Sequence, residues 1–341
     1  MKYVFAVTSH LTFYLTHRIV AQDEIKPDDC ILFLVRGYSI PQKYDKQYPN
    51  QIHTSYNVTV DKGRVFAGVR FDKTNRNICE FDQLVDGYLH GENFLFYTPV
   101  CSNDICSLMV TKRNCVGYYV IEDGLASYRN YNPQTFTGIR YLVYKCILNT
   151  LFHRIYAVKN HFITAEHPKF RGCIASSPKC FPLHQKCLRV IGMPFVGEPI
   201  YIKPDVIISI DPLFLFVDIR KVKEVYESVA KFMENKDYKV KTFKMHPRFN
   251  AESMSKIRAE YIGVLREVLG DKIIELPADT VLENVLSYYK CDFYSCNSST
   301  SIYASQAGAH CYSIMPLLKG TPAYESNDFI ESCNTPVLEV R

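Results

Sequence analysis

Apolar residues recur along this chain with two periods, and the second half shows the alternation most plainly. Short β-branched runs give way there to segments whose apolar residues return at helical spacing. Val206-Ile207-Ile208-Ser209-Ile210 reads as a strand stopped by Asp211-Pro212. Val222, Val225, Tyr226, Val229, Phe232 and Met233 then give residues 219–234 one apolar helical face. Residues 238–245 return as a strand that ends at His246-Pro247. Asn250 is placed to cap the next helix, with Met254, Ile257, Tyr261, Val264, Leu265 and Val268 as its buried stripe and Gly270 as its stop. A strand at 272–276, a helix at 280–289, a strand at 291–296, a helix at 301–307 and a strand at 310–315 complete the pattern.

Strand and helix in repeated alternation predict a doubly wound parallel sheet, whose ligands sit beyond the carboxyl ends of its strands. The first half reads as a second α/β domain, with strands at 3–7, 30–35, 93–97 and 116–121 and helices at 11–22 and 138–158. Residues 45–80 are polar and irregular, and 159–195 are rich in Pro, Cys and His, so no topology is assigned there. A boundary near Gly197-Glu198-Pro199 gives domains of 1–197 and 198–320, followed by a tail of 321–341.

Composition changes this picture little. The chain has 341 residues, 47% hydrophobic and 22% charged, which fits a two-domain α/β enzyme rather than a disordered protein. Its 13 cysteines are scattered through a large chain, and residues 1–7 are too short for a signal-peptide core, so reduced thiols in a cytosol are expected. No standard zinc spacing occurs, and no metal site is expected. The longest apolar stretch, 141–158, is interrupted by Lys145, His153 and Arg154 and reads as an amphipathic helix rather than a membrane span. A net charge of +5 would favour at most a peripheral contact with anionic lipid at the inner face of a membrane. No dense basic stripe points to nucleic acid.

Three sets of residues carry candidate chemistry, each where a predicted strand runs out. Glu122-Asp123-Gly124 puts two carboxylates at a strand tip, with a glycine to turn the backbone. One of them can serve as a general base; a solvated turn is the simpler use of such a tripeptide. His246, held extended by Pro247, can present its ring to a leaving phosphate, and Lys244 lies two residues earlier on the same strand. Ser298-Ser299-Thr300-Ser301 stands between a strand and a helix, where hydroxyls and free helix amides favour an anion or simply cap the helix. Glu283, in the first turns of its own helix, can accept from ribose hydroxyls.

A second set, His167-Pro168 with Ser176-Ser177, repeats the residue types of the downstream pair. It lacks the surrounding alternation, and Pro178 stands where free helix amides are needed. Asp211, at the first strand end of the downstream domain, is a competing acid. The chain contains no Asp-x-Asp, Walker loop, Gly-x-Gly-x-x-Gly or Gly-x-Ser-x-Gly, which disfavours kinases, dinucleotide enzymes and serine hydrolases.

In their order, Glu122-Asp123-Gly124, Lys244-x-His246-Pro247, Glu283 and Ser298-Ser299 resemble the motifs of the two-domain bacterial sialyltransferases that make lipooligosaccharide and capsular polysialic acid. The resemblance spans roughly residues 116–305 and implies the GT-B fold, two Rossmann-like domains facing a central cleft, with the acceptor on the first and the donor on the second. It implies inverting transfer from CMP-sialic acid to a glycan acceptor, without metal or other cofactor. Asp123 or Glu122 would then be the base, and His246 would stabilise or protonate the departing phosphate. Ser298 and Ser299 would hold that phosphate, Glu283 would bind the ribose, and Lys244, Pro247 and Thr300 would belong to the same donor-binding set. Another CMP-activated acid sugar such as CMP-Kdo, or a carbohydrate-binding protein without turnover, are the alternatives. The first hundred residues carry no part of the resemblance, so the acceptor stays open.

Overall fold

The structure is a computed structural model that describes residues 1–35, 38–53, 71–99, 104–128, 167–250, 252–296, 298–325 and 338–339. The chain divides into two compact units, Met1–Pro194 and Phe195–Arg341.

The first unit contains strands β1 (Lys2–Val7), β2 (Cys30–Leu34), β3 (Gln51–His53), β4 (Phe94–Thr98), β5 (Cys115–Ile121), β6 (Phe170–Ala175) and β7 (Leu188–Val190). They form one sheet in the order β3-β2-β1-β4-β5-β6-β7, and every neighbouring pair is parallel. Parallel strands need crossovers, and the helices α1 (His10–Gln22), α2 (Phe71–Leu89) and α3 (Asp104–Thr111) lie in them. Strand β2, Cys-Ile-Leu-Phe-Leu, is buried at every position, the mark of a sheet covered on both faces. Ser9 caps α1 in a reciprocal box with Thr12.

The four strands expected in this half are present, as is the helix at 11–22, while the helix expected at 138–158 lies outside the described residues. Strands β3, β6 and β7 and the start of α2 occupy the stretches left without topology. β6 hid because Phe-Arg-Gly-Cys-Ile-Ala carries a charge and a glycine. Gly172 is required there: its φ is +147°, and a Cβ would come within 2.7 Å of the Cys187 carbonyl oxygen.

The second unit contains β8 (Val206–Ile210), β9 (Lys241–Met245), β10 (Ile274–Glu275), β11 (Asp292–Ser295), β12 (Cys311–Ser313) and β13 (Leu338–Glu339), all parallel in the order β10-β9-β8-β11-β12-β13. Helices α4 (Ile219–Met233), α5 (Ser255–Leu269), α6 (Leu282–Tyr289), α7 (Ser299–Gln306) and α8 (Pro322–Glu325) connect or flank them. Residues 321–341 thus supply a short helix and an edge strand.

Alternate residues of β8 face opposite layers. Ile208 and Ile210 pack with Val222, Tyr226 and Val229 of α4 and with Leu265 of α5. Ile207 packs with Val285 and Leu286 of α6 and Ala304 of α7. The order reverses between β8 and β11, which is the topological switch point of a doubly wound sheet.

One expected cap is corrected. Helix α5 does not start from Asn250; the chain after His246-Pro247 first winds through short 3-10 turns at Pro247–Asn250 and Glu252–Met254, and α5 begins at Ser255 without a side-chain cap. Helix α7 starts two residues earlier than its apolar pattern suggested, because Ser298 caps it. Among the described residues the cysteines are free thiols, and no helix is long and apolar enough to cross a membrane.

Candidate active site

The carboxyl edge of the second sheet collects the downstream residues. β9 ends at Met245, and His246 is tied into the edge by its own N–H, which donates to the Ile210 carbonyl at 3.1 Å. Pro247 opens a 3-10 turn that returns the Phe249 N–H to the His246 carbonyl at 2.9 Å. The same turn aims the Arg248 N–H at His246 Nδ1, 3.2 Å away. An Nδ1 that accepts cannot carry the proton, so the neutral ring bears it on Nε2. The residue is open to solvent, yet desolvation by the surrounding protein, followed by the charges of Arg248 and Lys244, holds its pKa below the ordinary value. His246 therefore stands as a neutral imidazole with an N–H to offer.

Lys244 is buried, and its Nζ donates to the carbonyls of Pro277 at 3.1 Å and Ala278 at 2.7 Å. Burial lowers its pKa, while Asp279, Glu275 and Glu283 oppose the shift. Its charge thus braces the loop that leads into α6, where Glu283 occupies the first turn. Glu283 Oε1 accepts from Thr300 Oγ1 at 2.6 Å, which joins the start of α6 to the start of α7. Desolvation raises the Glu283 pKa; the bonds from Thr300 and its own N–H and the charge of Lys244 pull the other way.

At the head of α7, Ser298 Oγ accepts the Thr300 N–H at 3.3 Å, and Ser301 Oγ meets Ser295 Oγ at 2.8 Å. The Ser299 hydroxyl is half-buried and has no partner among the described residues. The electrostatic and hydrogen-bond links run from His246 through Lys244 and Glu283 to Thr300, so these residues form one cluster. The Ser299 hydroxyl, the imidazole N–H and the positive end of α7 are groups that suit an anion.

Asp211 lies beside this cluster, just past β8. It is 5% exposed, and its Oδ2 accepts the Cys296 N–H at 2.8 Å. Burial pushes its carboxyl up to about 6, against the effect of that hydrogen bond. Because the folded pKa exceeds the ordinary 3.8, the stabilisation that comes from protonation is complete below pH 3.8 and lost as pH rises through about 6. Asp211→Asn keeps an acceptor for the Cys296 N–H and removes the buried charge. We expect it to be more stable than the native chain above pH 6, by up to about 3 kcal/mol, with the gain vanishing below pH 4. Thermal melts at pH 7.5 and pH 4 check this; an Asn variant that melts lower at pH 7.5 contradicts it.

The acidic pair belongs to the first unit, at the carboxyl end of β5. Glu122 is fully buried and its Oε2 accepts both the N–H and the hydroxyl of Ser176, each at 2.7 Å. Asp123 is half-buried, and its N–H donates to Ser127 Oγ at 2.8 Å. Gly124 follows with φ +64°, which lets the chain leave the strand in a tight turn. The two acids therefore differ: Glu122 ties β5 to the end of β6, and Asp123 stands at the tip.

Ser176 was readable only as half of a second serine pair, and its role as the partner of Glu122 had no signal in the sequence. His167-Pro168 forms the same local turn as His246-Pro247, since the Lys169 N–H donates to His167 Nδ1 at 3.2 Å. It precedes β6, so it lies at the amino edge of its sheet, opposite the carboxyl edge at which doubly wound folds generally take their ligands. Among the described residues, no group of three or more His, Cys, Asp or Glu is arranged to hold a metal ion.

No protein-family model and no curated protein matches the chain. Solved structures do. The GT-B domain of a sialyltransferase from Photobacterium damselae is 12% identical and matches over 99% of this chain and 100% of its own, with a TM-score of 0.52. A protein assigned as a UDP-N-acetylglucosamine 2-epimerase from Listeria monocytogenes is 9% identical over 96% of this chain and 81% of its own, also with a TM-score of 0.52. At these identities the likeness speaks to the fold, and the chain has the GT-B fold of two Rossmann-like domains.

Proposed function

We propose that this protein is an inverting, metal-independent sialyltransferase that moves sialic acid from CMP-sialic acid to a hydroxyl of a glycan acceptor. The observation that carries the reading is the grouping of the His246 Nε2–H and the Ser298 and Ser299 hydroxyls with the N-terminus of α7 at the carboxyl edge of the second sheet. In the reaction the acceptor oxygen attacks the anomeric carbon, the bond from that carbon to the phosphate oxygen breaks, and CMP departs with the bonding pair. A single phosphate carries modest charge, which N–H and hydroxyl donors can stabilise without a divalent cation. His246 Nε2–H donates to the departing phosphate. Ser298 and Ser299 hold it, and Glu283, braced by Thr300 and Lys244, takes the ribose hydroxyls. Asp123 removes the acceptor proton while Glu122 keeps the acidic turn in place.

The direct test incubates the purified protein with CMP-sialic acid and a panel of lactosides and oligosialic acids, with products identified by mass spectrometry. Sialylated product and free CMP support the reading. Product from CMP-Kdo alone, or conversion of UDP-N-acetylglucosamine alone, rejects it, and nucleotide binding with no turnover points to a non-catalytic binder. Excess EDTA should leave the initial rate unchanged, and its loss would reveal a metal requirement.

The double variant Ser298→Ala, Ser299→Ala removes two hydroxyls but leaves the helix amides. We expect its donor KM to rise about tenfold to a hundredfold, from two lost hydrogen bonds to a charged group. An unchanged KM in steady-state kinetics contradicts the phosphate assignment.

A further inference from the structure

We propose that Asp211 is a positioning residue for the donor phosphate, which it aims by anchoring the loop between β11 and α7; the role rests on the nucleotide-sugar reading above. β8 and β11 are neighbours at the switch point, and the residues just past their ends border the crevice where the sheet order reverses. Asp211 is the first residue past β8, and Cys296 the first past β11. The bond from the Cys296 N–H to Asp211 Oδ2 spans that crevice at 2.8 Å. Two residues further on, Ser298 opens α7, so the carboxyl group fixes the point from which the phosphate-binding turn departs.

The anchor is itself held. The Phe214 N–H donates to the Asp211 carbonyl at 3.2 Å, and the Phe214 ring packs against Tyr226 with centroids 5.5 Å apart. Tyr226 is buried close enough to Asp211 and Cys296 to interact with both. At 5% exposure the Asp211 side chain offers the donor no surface of its own. Its effect passes through the loop, whose amides and hydroxyls bind an anion only when they converge on one point. The function needs an acceptor oxygen rather than a negative charge, so an isosteric amide should replace it.

The experiment compares Asp211→Ala and Asp211→Asn in the full chain, with CMP as the calorimetric probe and with steady-state kinetics on CMP-sialic acid. The alanine variant should weaken CMP binding and raise donor KM by about tenfold, the scale of one hydrogen bond lost at the root of the site. Its kcat and acceptor KM should stay within about threefold, and the asparagine variant should return CMP affinity to within about threefold of the native chain. Native CMP affinity in the alanine variant overturns the proposal. So does an asparagine variant as weak as alanine, or a fall in kcat as large as the rise in donor KM. If alanine at this position prevents folding, Asp211→Ser, whose hydroxyl is too short to reach Cys296, takes its place with the same expectation. Should the native protein bind another nucleoside phosphate instead of CMP, the sialyl reading falls and the same comparison with that nucleotide still decides the role of Asp211. A native protein that binds no nucleoside phosphate overturns both.

Discussion

His246→Ala is expected to lower turnover with CMP-sialic acid by about a hundredfold to ten-thousandfold, the range for loss of a positioned proton donor. The Arg248 N–H occupies Nδ1, so the ring can offer only Nε2–H, and it does so as a neutral group because desolvation and the charges of Arg248 and Lys244 disfavour the cation. A neutral donor helps most where charge develops, on the phosphate oxygen that takes up the bonding pair as CMP leaves. The loss should therefore fall on kcat more than on donor KM. His246→Asn, which can offer an amide N–H from a similar place, should recover part of the rate. Steady-state kinetics on both variants check this, and an alanine variant within threefold of the native rate removes His246 from the chemistry.

Asp123→Ala should cost turnover about as much, while CMP binding stays at the native level because CMP contacts only the second unit in this mechanism. The neighbouring acid should behave differently. Glu122 is buried and accepts two bonds from Ser176, so Glu122→Ala strands a backbone N–H and a hydroxyl and should destabilise the first unit by roughly 2–5 kcal/mol. Asp123→Asn, which leaves that buried pair alone, should melt like the native protein and still fail to transfer. Rates and melting temperatures of the three variants separate the roles. A Glu122→Gln variant that is folded and inactive beside an active Asp123→Asn would exchange them.

Much of the second half was legible because its β-strands are short, apolar and bounded by prolines and glycines, and because helix α4 keeps a clean stripe from Val222 to Met233. The start of α5 was misplaced because a cap residue such as Asn250 signals a helix only if the chain is free to enter one. Here Pro247 and the bond from Arg248 to His246 commit it to 3-10 turns first. In the first half, β6 and β7 escaped because their strand character comes from pairing rather than composition. Arg171 lies along β5, its guanidinium bonded to the Val116 carbonyl at 2.9 Å, and Gly172 yields space to Cys187.

The sequence by itself determined the α/β class, the strand ends at which acids, imidazole and hydroxyls occur, and the order in which those groups follow one another. Those features are local: propensity, period and punctuation act over a few residues. Tertiary structure decided which of two adjacent carboxylates is buried under Ser176. It also decided that Asp211 reaches across to Cys296. Each of those outcomes depends on the lateral order of strands. That order is set by the packing of residues far apart in the chain, which no window of sequence contains.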